Sequence, residues 1–397
     1  MATIIDGKKR IPFMRGMLVH YLIERGFSYE EAYEVADAIR KTLPKRKGIE
    51  RKELLKLIDQ AIRTEHGERQ VGDLVFWERL PTSITVEGKD ETGPFSKERL
   101  AHSVQVAGLS LDQSYELAGH LESMLLGQRA QRVNSQMLEE LVEVMLAEQY
   151  DQGYAERYRV WRAWQELDQP LIVLIGGASG VGKTSLAISM ANVLDIPRVA
   201  ATDDIRQIMR LMLSPELMPS IHTSSYLAWS NLPSDVREAD PVLTGFREQV
   251  KVVSLGVRAI LDRCLEEHSS VIIDGVHLLP DFLEKWKRDH PHSFVTQLCL
   301  AVSERRVYEE RFTKRAKEAP ARAGDKYLSH MDEIQKIQEH IMEVSTQCDI
   351  PIIDTSAVST VEEATKLALM LVVEQLQDRE EIKRVLGGEE RKKRKKG

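Results

Sequence analysis

Two hydrophobic rhythms divide this chain. Through residues 1–150 the apolar positions recur at helical spacing, interrupted by short hairpin-like pieces. From Pro170 onward they gather into unbroken apolar runs at Leu171–Ile175, Arg198–Ala201, Val271–Asp274, Phe294–Ala301 and Ile350–Asp354, with helical stretches between them. Strands that are apolar on both sides, alternating with helices, predict a parallel sheet covered on both faces. Between the two halves, Gln149–Gln169 reads as a polar helix. Its rings Tyr154, Tyr158, Trp161 and Trp164 share one face. That face is predicted to pack on a neighbouring element; base stacking is the alternative use of such a face.

The N-terminal rhythm repeats itself. Ile4-Ile5-Asp6-Gly7-Lys8, Pro12-Phe13 and Gly26-Phe27-Ser28-Tyr29-Glu30-Glu31-Ala32 return as Thr85-Val86-Glu87-Gly88-Lys89, Pro94-Phe95 and Gly108-Leu109-Ser110-Leu111-Asp112-Gln113-Ser114. Leu54, Leu57, Ile58 and Ile62 return as Leu138, Leu141, Val142 and Leu146. Two copies predict two small tandem modules, and Ser28 with Glu31 predicts a capping box at a helix start. The repeat resembles the ATP-cone, a small, mainly helical nucleotide-sensing module. That family usually carries a basic residue before its Asp-Gly turn, where this chain has Thr3-Ile4-Ile5. Nucleotide sensing and a pure docking or oligomerisation role both remain open for the two copies. The expected organisation is modules at 1–70 and 75–150, a connecting helix at 151–169, an α/β domain at 170–385 and a disordered basic tail at 386–397.

The junction after the first apolar run carries the chemistry. Gly177, Ala178, Ser179, Gly180, Val181, Gly182, Lys183 and Thr184 fit G-x-x-x-x-G-K-[ST], between a strand and a helix that continues through Ser185. Glycines let successive backbone N–H groups turn inward around a phosphate, and the helix N-terminus adds positive potential. Lys183 reaches the β- and γ-phosphates of a nucleotide, and the Thr184 hydroxyl ligates Mg²⁺. Val271-Ile272-Ile273-Asp274 is an apolar strand ending in a carboxylate suited to the same ion. Asp203 follows the second strand run, at the sheet edge where ligands bind, and is placed to orient an attacking hydroxyl. Arg206 and Arg210, four apart on one helical face, suit a clamp on phosphate or carboxylate. His277 is a candidate substrate contact. The basic segment after Phe294–Ala301 reads as a closing lid, with Arg311, Arg315 and Arg322 its functional candidates.

Composition narrows the class. The 397 residues carry a formal charge of −7, against a general nucleic-acid binder. A small anionic substrate needs only local cations. No run reads as a membrane span or signal-peptide core. Cys264, Cys299 and Cys348 are odd in number and lack C-x-x-C spacing, which predicts reduced thiols, a cytoplasmic setting and no structural zinc. With neither an Asn-Lys-x-Asp guanine element nor a Leu-Ser-Gly-Gly-Gln signature, a small-molecule kinase is the remaining P-loop class.

Several blocks resemble 2-phosphoglycerate kinases: Thr202-Asp203-Asp204-Ile205-Arg206, Ser224-Ser225-Tyr226, Asp274-Gly275-Val276-His277-Leu278-Leu279-Pro280, Arg311-Phe312, and Lys326-Tyr327-Leu328-Ser329-His330-Met331-Asp332-Glu333-Ile334-Gln335-Lys336-Ile337-Gln338. That family commonly has Glu where Asp274 stands, and Arg in place of Lys326 and Gln335. It also places ATP-cone sequence before its kinase domain. The resemblance implies a P-loop kinase fold with a parallel sheet flanked by helices, preceded by two small ATP-cone-like modules. It further implies ATP and Mg²⁺ as cofactors and phosphorylation of the 3-hydroxyl of 2-phosphoglycerate. Another phosphorylated polyol, such as an inositol phosphate, is the alternative acceptor. An ATP-sensing regulator without turnover, with assembly through the N-terminal modules, is the alternative function.

Overall fold

The computed structural model describes residues 3–6, 9–13, 15–23, 27–43, 48–66, 84–88, 92–127, 130, 132–232, 240–318 and 327–396. They divide into two compact units, residues 1–97 with 118–141, and residues 98–117 with 142–397.

The repeat is visible in the strands. β1 (Thr3–Asp6) and β2 (Lys9–Pro12) form an antiparallel hairpin; α1 (Arg15–Ile23) and α2 (Tyr29–Thr42) follow, and β3 (Gly48–Glu50) returns parallel to β1 ahead of α3 (Arg51–His66). β4 (Thr85–Glu87), β5 (Thr92–Pro94), α4 (Lys97–Gln105), α5 (Leu111–Gly127), β6 (Arg132–Asn134) and α6 (Ser135–Gln149) repeat that order. The sheets β2-β1-β3 and β5-β4-β6 have the same polarity, with Ile4 opposite Ile49 and Val86 opposite Val133. α2 starts in the expected capping box: Ser28 Oγ accepts from the Glu31 N–H, and the Glu31 carboxylate accepts from the Ser28 N–H. The Gly7-Lys8 turn lies outside the described residues.

α7 (Gln152–Gln165) buries Tyr158 and Trp161 and rests Trp164 on the same core, with the two indole centroids 4.5 Å apart. The aromatic face is a packing face. Val106 joins that core; Arg157 Nε donates to the Ala107 carbonyl (2.6 Å), and the Leu111 N–H donates to Glu362 (2.9 Å).

The α/β half runs β7 (Leu171–Gly177), α8 (Lys183–Leu194), β8 (Val199–Ala201), α9 (Thr202–Met212), two 3₁₀ turns (Pro219–His222 and Ser225–Asn231), α10 (Pro241–Glu266), β9 (Val271–Gly275), α11 (Pro280–Asp289), β10 (Phe294–Ala301), α12 (Arg305–Glu318), α13 (Met331–Gln347), β11 (Ile352–Asp354), α14 (Val361–Gln377) and α15 (Glu380–Lys396). The five strands are all parallel, in the order β11-β10-β7-β9-β8. Central β7 is buried along its whole length, which is why it reads as unbroken hydrophobicity. Leu171, Val173 and Ile175 enter one apolar layer and Ile172 and Leu174 the other, so helices cover both faces. β11 starts at Ile352 rather than Ile350: Pro351 has no N–H for the ladder.

The three cysteines are free thiols. Among the described residues no helix is long and apolar enough to cross a membrane. The basic tail, expected to be disordered, continues helix α15 to Lys396; its Glu, Arg and Lys residues are good helix formers.

Candidate active site

Strand register gathers the site. Ile175 and Ala201 both stand opposite Asp274, so the carboxyl ends of β7, β9 and β8 open onto one edge, where ligands bind in sheets of this kind.

β7 runs out at Gly177. The turn that follows has left-handed backbone at Gly177 (φ 139°), Gly180 (87°) and Gly182 (100°), and α8 starts at Lys183. Ala178 and Val181 are buried and pin the loop to the core, whereas Ser179 is half-buried and Ser185 exposed on the first turn of α8. Lys183 Nζ folds back to donate to the Ala178 carbonyl at 2.6 Å. Glycine is also required sterically at position 180, since a Cβ there would stand 2.6 Å from the Phe312 ring of α12.

Thr184 Oγ1 donates to Asp274 Oδ2 at 2.8 Å. Asp274 is only 3% exposed, and its Oδ1 is buried with no hydrogen-bond partner among the described residues. Burial pushes the carboxyl pKa up; the Thr184 hydrogen bond and Lys183 pull it down, and the nearby Asp203 and Asp204 push it further up. A desolvated carboxylate oxygen with no donor, beside a hydroxyl, is a donor set suited to a hard divalent cation. Mg²⁺ fits it.

Asp203 is 69% exposed on the first turn of α9, next to buried Thr202. Arg206 is only 14% exposed: Nη1 donates to the carbonyls of Ile221 (3.1 Å) and Thr223 (2.8 Å), and Nε pairs with Asp203 at 3.4 Å. Its Nη2 has no partner among the described residues. Arg210 bonds Gln207, and no described contact brings it to the glycine turn. The expected two-arginine clamp is therefore one anchored arginine, with the second turned to its own helix.

His277, expected to touch substrate, is instead 2% exposed with both ring nitrogens engaged, by Thr202 Oγ1 (2.8 Å) and Gln249 Oε1 (2.9 Å). It is walled off by α9 and α10, which supply those two partners. Burial drives its pKa down to about 3, with Asp203 opposing and Arg206 and Lys183 adding to the fall, so the ring is neutral.

Arg311 lies in α12 and reaches back to the turn. Nη1 donates to Thr355 Oγ1 (2.8 Å) and the Val181 carbonyl (3.3 Å), and Nη2 to the Thr355 carbonyl (2.6 Å). Burial lowers its pKa, but a guanidinium stays charged. Arg315 belongs to α12, and Arg322 lies outside the described residues. Phe312 stacks on Tyr327 (4.9 Å between centroids, 4° between planes), which meets Tyr226 at 5.8 Å.

Three polar residues here escaped the sequence reading. Thr355 ties the glycine turn to β10: its one hydroxyl hydrogen is shared between the Val181 and Ala301 carbonyls, both at 3.0 Å. Its place just after a strand end, the rule that selected Asp203, would have found it. Thr202 adjoins Asp203 on the same grounds. Gln249, one amide among the apolar residues of α10, gives no sequence signal.

The ATP cone domain family matches residues 86–167. A 2-phosphoglycerate kinase from Pyrococcus furiosus is 36% identical over 261 residues, 66% of this chain and 84% of the relative. One from Methanothermobacter thermautotrophicus is 38% identical over 279 residues, 69% and 90% of the two chains. Among solved structures, a gluconokinase from Sinorhizobium meliloti aligns with TM-score 0.32 and 14% identity, covering 53% of this chain and 95% of its own. With an identity of this level across most of each archaeal relative, the chain belongs to the 2-phosphoglycerate kinase family.

Proposed function

We propose that this chain transfers the γ-phosphoryl group of ATP to the 3-hydroxyl of 2-phosphoglycerate, giving 2,3-bisphosphoglycerate and ADP. The observation that carries this reading is the single sheet edge shared by the glycine turn, the Thr184–Asp274 pair and the Asp203–Arg206 pair. The turn from Gly177 to Gly182 is read as the P-loop around the β- and γ-phosphates, with Lys183 following them. Thr184 and Asp274 would hold Mg²⁺, which when bound neutralises charge on the transferring group. Arg311, fixed on the turn by Val181 and Thr355, adds positive charge at the nucleotide; Arg315 and Arg322 are assigned to the lid on their position in the chain. Asp203 orients the attacking hydroxyl and takes its proton as the oxygen–phosphorus bond forms and the bond to ADP breaks. The acceptor is a phosphorylated hydroxy acid, and Arg206 Nη2 is the donor offered to its anionic groups.

The family match over 86–167 and the repeated strand order support reading both N-terminal units as ATP-cone-like, the first included. The free thiols fit a reducing cytoplasm.

ADP release measured with and without 2-phosphoglycerate tests the reaction; turnover should depend on the acceptor, and acceptor-independent, negligible turnover would overturn it. Arg206→Ala should raise the acceptor KM about ten- to a hundredfold, the worth of one hydrogen bond to a charged group, with the KM for ATP unchanged.

A further inference from the structure

The acceptor side of the site rests on a buried polar chain that no catalytic step uses. Gln249 Nε2 donates to the carbonyls of Ser220 (2.5 Å) and Thr223 (3.2 Å), which fixes the amide orientation and leaves Oε1 as acceptor. His277 Nε2 must therefore carry the hydrogen it gives to Gln249 Oε1, leaving Nδ1 as an acceptor. The Thr202 hydroxyl then has one polarity available: it donates to Nδ1. All three side chains are buried, and Gly275 is glycine because any Cβ there would strike the Thr202 hydroxyl. Both ends of the chain of bonds bear on Arg206 and Asp203. The Thr223 carbonyl that accepts from Gln249 also accepts from Arg206, and Thr202 immediately precedes Asp203 at the start of α9.

We infer that Gln249 is a positioning residue for the phosphoryl acceptor, acting through His277 and Thr202 on Asp203 and through the Thr223 carbonyl on Arg206. Its own side chain is fully buried. A buried network in which each donor hydrogen meets one acceptor has a single arrangement, and removing a member leaves the others unpaired in a buried site. The inference rests on the reading that Arg206 and Asp203 serve the acceptor.

The test is steady-state kinetics of the full chain in both substrates, with thermal melting alongside. Gln249→Leu keeps the volume and removes every bond. Thr202→Val removes the hydroxyl, and Thr202→Ser restores it. Gln249→Leu and Thr202→Val should each raise the acceptor KM about tenfold or more, as lost supporting bonds do, with the KM for ATP unchanged and Thr202→Ser close to wild type. Equal losses for both substrates, or the same loss with Thr202→Ser as with Thr202→Val, would overturn the inference and leave Gln249 a core residue only. Should Gln249→Leu fail to fold, the Thr202 pair decides alone. Arg206→Ala separates the two levels: an unchanged acceptor KM there sinks the assignment of the acceptor site itself. A raised KM in Arg206→Ala beside wild-type kinetics in Gln249→Leu and Thr202→Val sinks only the positioning role.

Discussion

Lys183→Ala is expected to lower kcat about a thousandfold, the scale of removing a preorganised charge from a phosphoryl-transfer site. The effect should fall on the chemical step. Lys183 Nζ is folded over the glycine turn, at 2.6 Å from the Ala178 carbonyl, on the side proposed for the phosphates. Stability should hardly change, because alanine at the first position of α8 is a good helix former. Single-turnover rates at saturating ATP and 2-phosphoglycerate are the measurement; a rate within tenfold of wild type would remove Lys183 from the mechanism.

Asp274→Asn should separate activity from stability. Loss of the carboxylate is expected to cut kcat about a hundredfold or more and to raise the Mg²⁺ concentration needed for half-maximal rate. The same change should leave the protein as stable or more so. Asp274 is buried with one oxygen unpartnered, and an uncompensated buried charge is costly, whereas the amide oxygen still accepts from Thr184. The pH dependence follows from the direction of the shift. A carboxyl whose folded pKa lies above its usual 3.8 destabilises the ionised fold, so the gain in Tm grows as pH rises above that value and shrinks as pH falls toward it. Melting curves without Mg²⁺ across that range check the sign. A clear fall in Tm near neutral pH would contradict it.

Both residues were singled out in the chain by local pattern: Asp274 comes where an apolar strand runs out, and Lys183 follows the last glycine of the turn, at the first position of α8. The unbroken hydrophobicity of β7 and β9 fixed their central, parallel placement, and the glycine spacing identified the turn between β7 and α8. Arg206 and His277 were found as residues, but not for what they touch. Helical spacing puts Arg206 and Arg210 on one face, yet it says nothing of the Ile221 and Thr223 carbonyls, fifteen or more positions onward, that claim one guanidinium and not the other. His277 follows the strand end by two residues, close enough to look exposed and far enough to be buried. Gln249 was invisible because its partners at 220, 223 and 277 come from separate segments. A lone amide in an amphipathic helix is ordinary until the fold closes around it.

The catalytic half cannot be excised at the obvious seam. Val106 lies in the same core as Trp161, Arg157 is spent on the Ala107 carbonyl, Gly108 lies against Met370, and Leu111 is held by Glu362. A cut at residue 150 would shear these bonds and leave a raw apolar flank on α7 and α14, and a cut at 170 would strip α7 from that core as well.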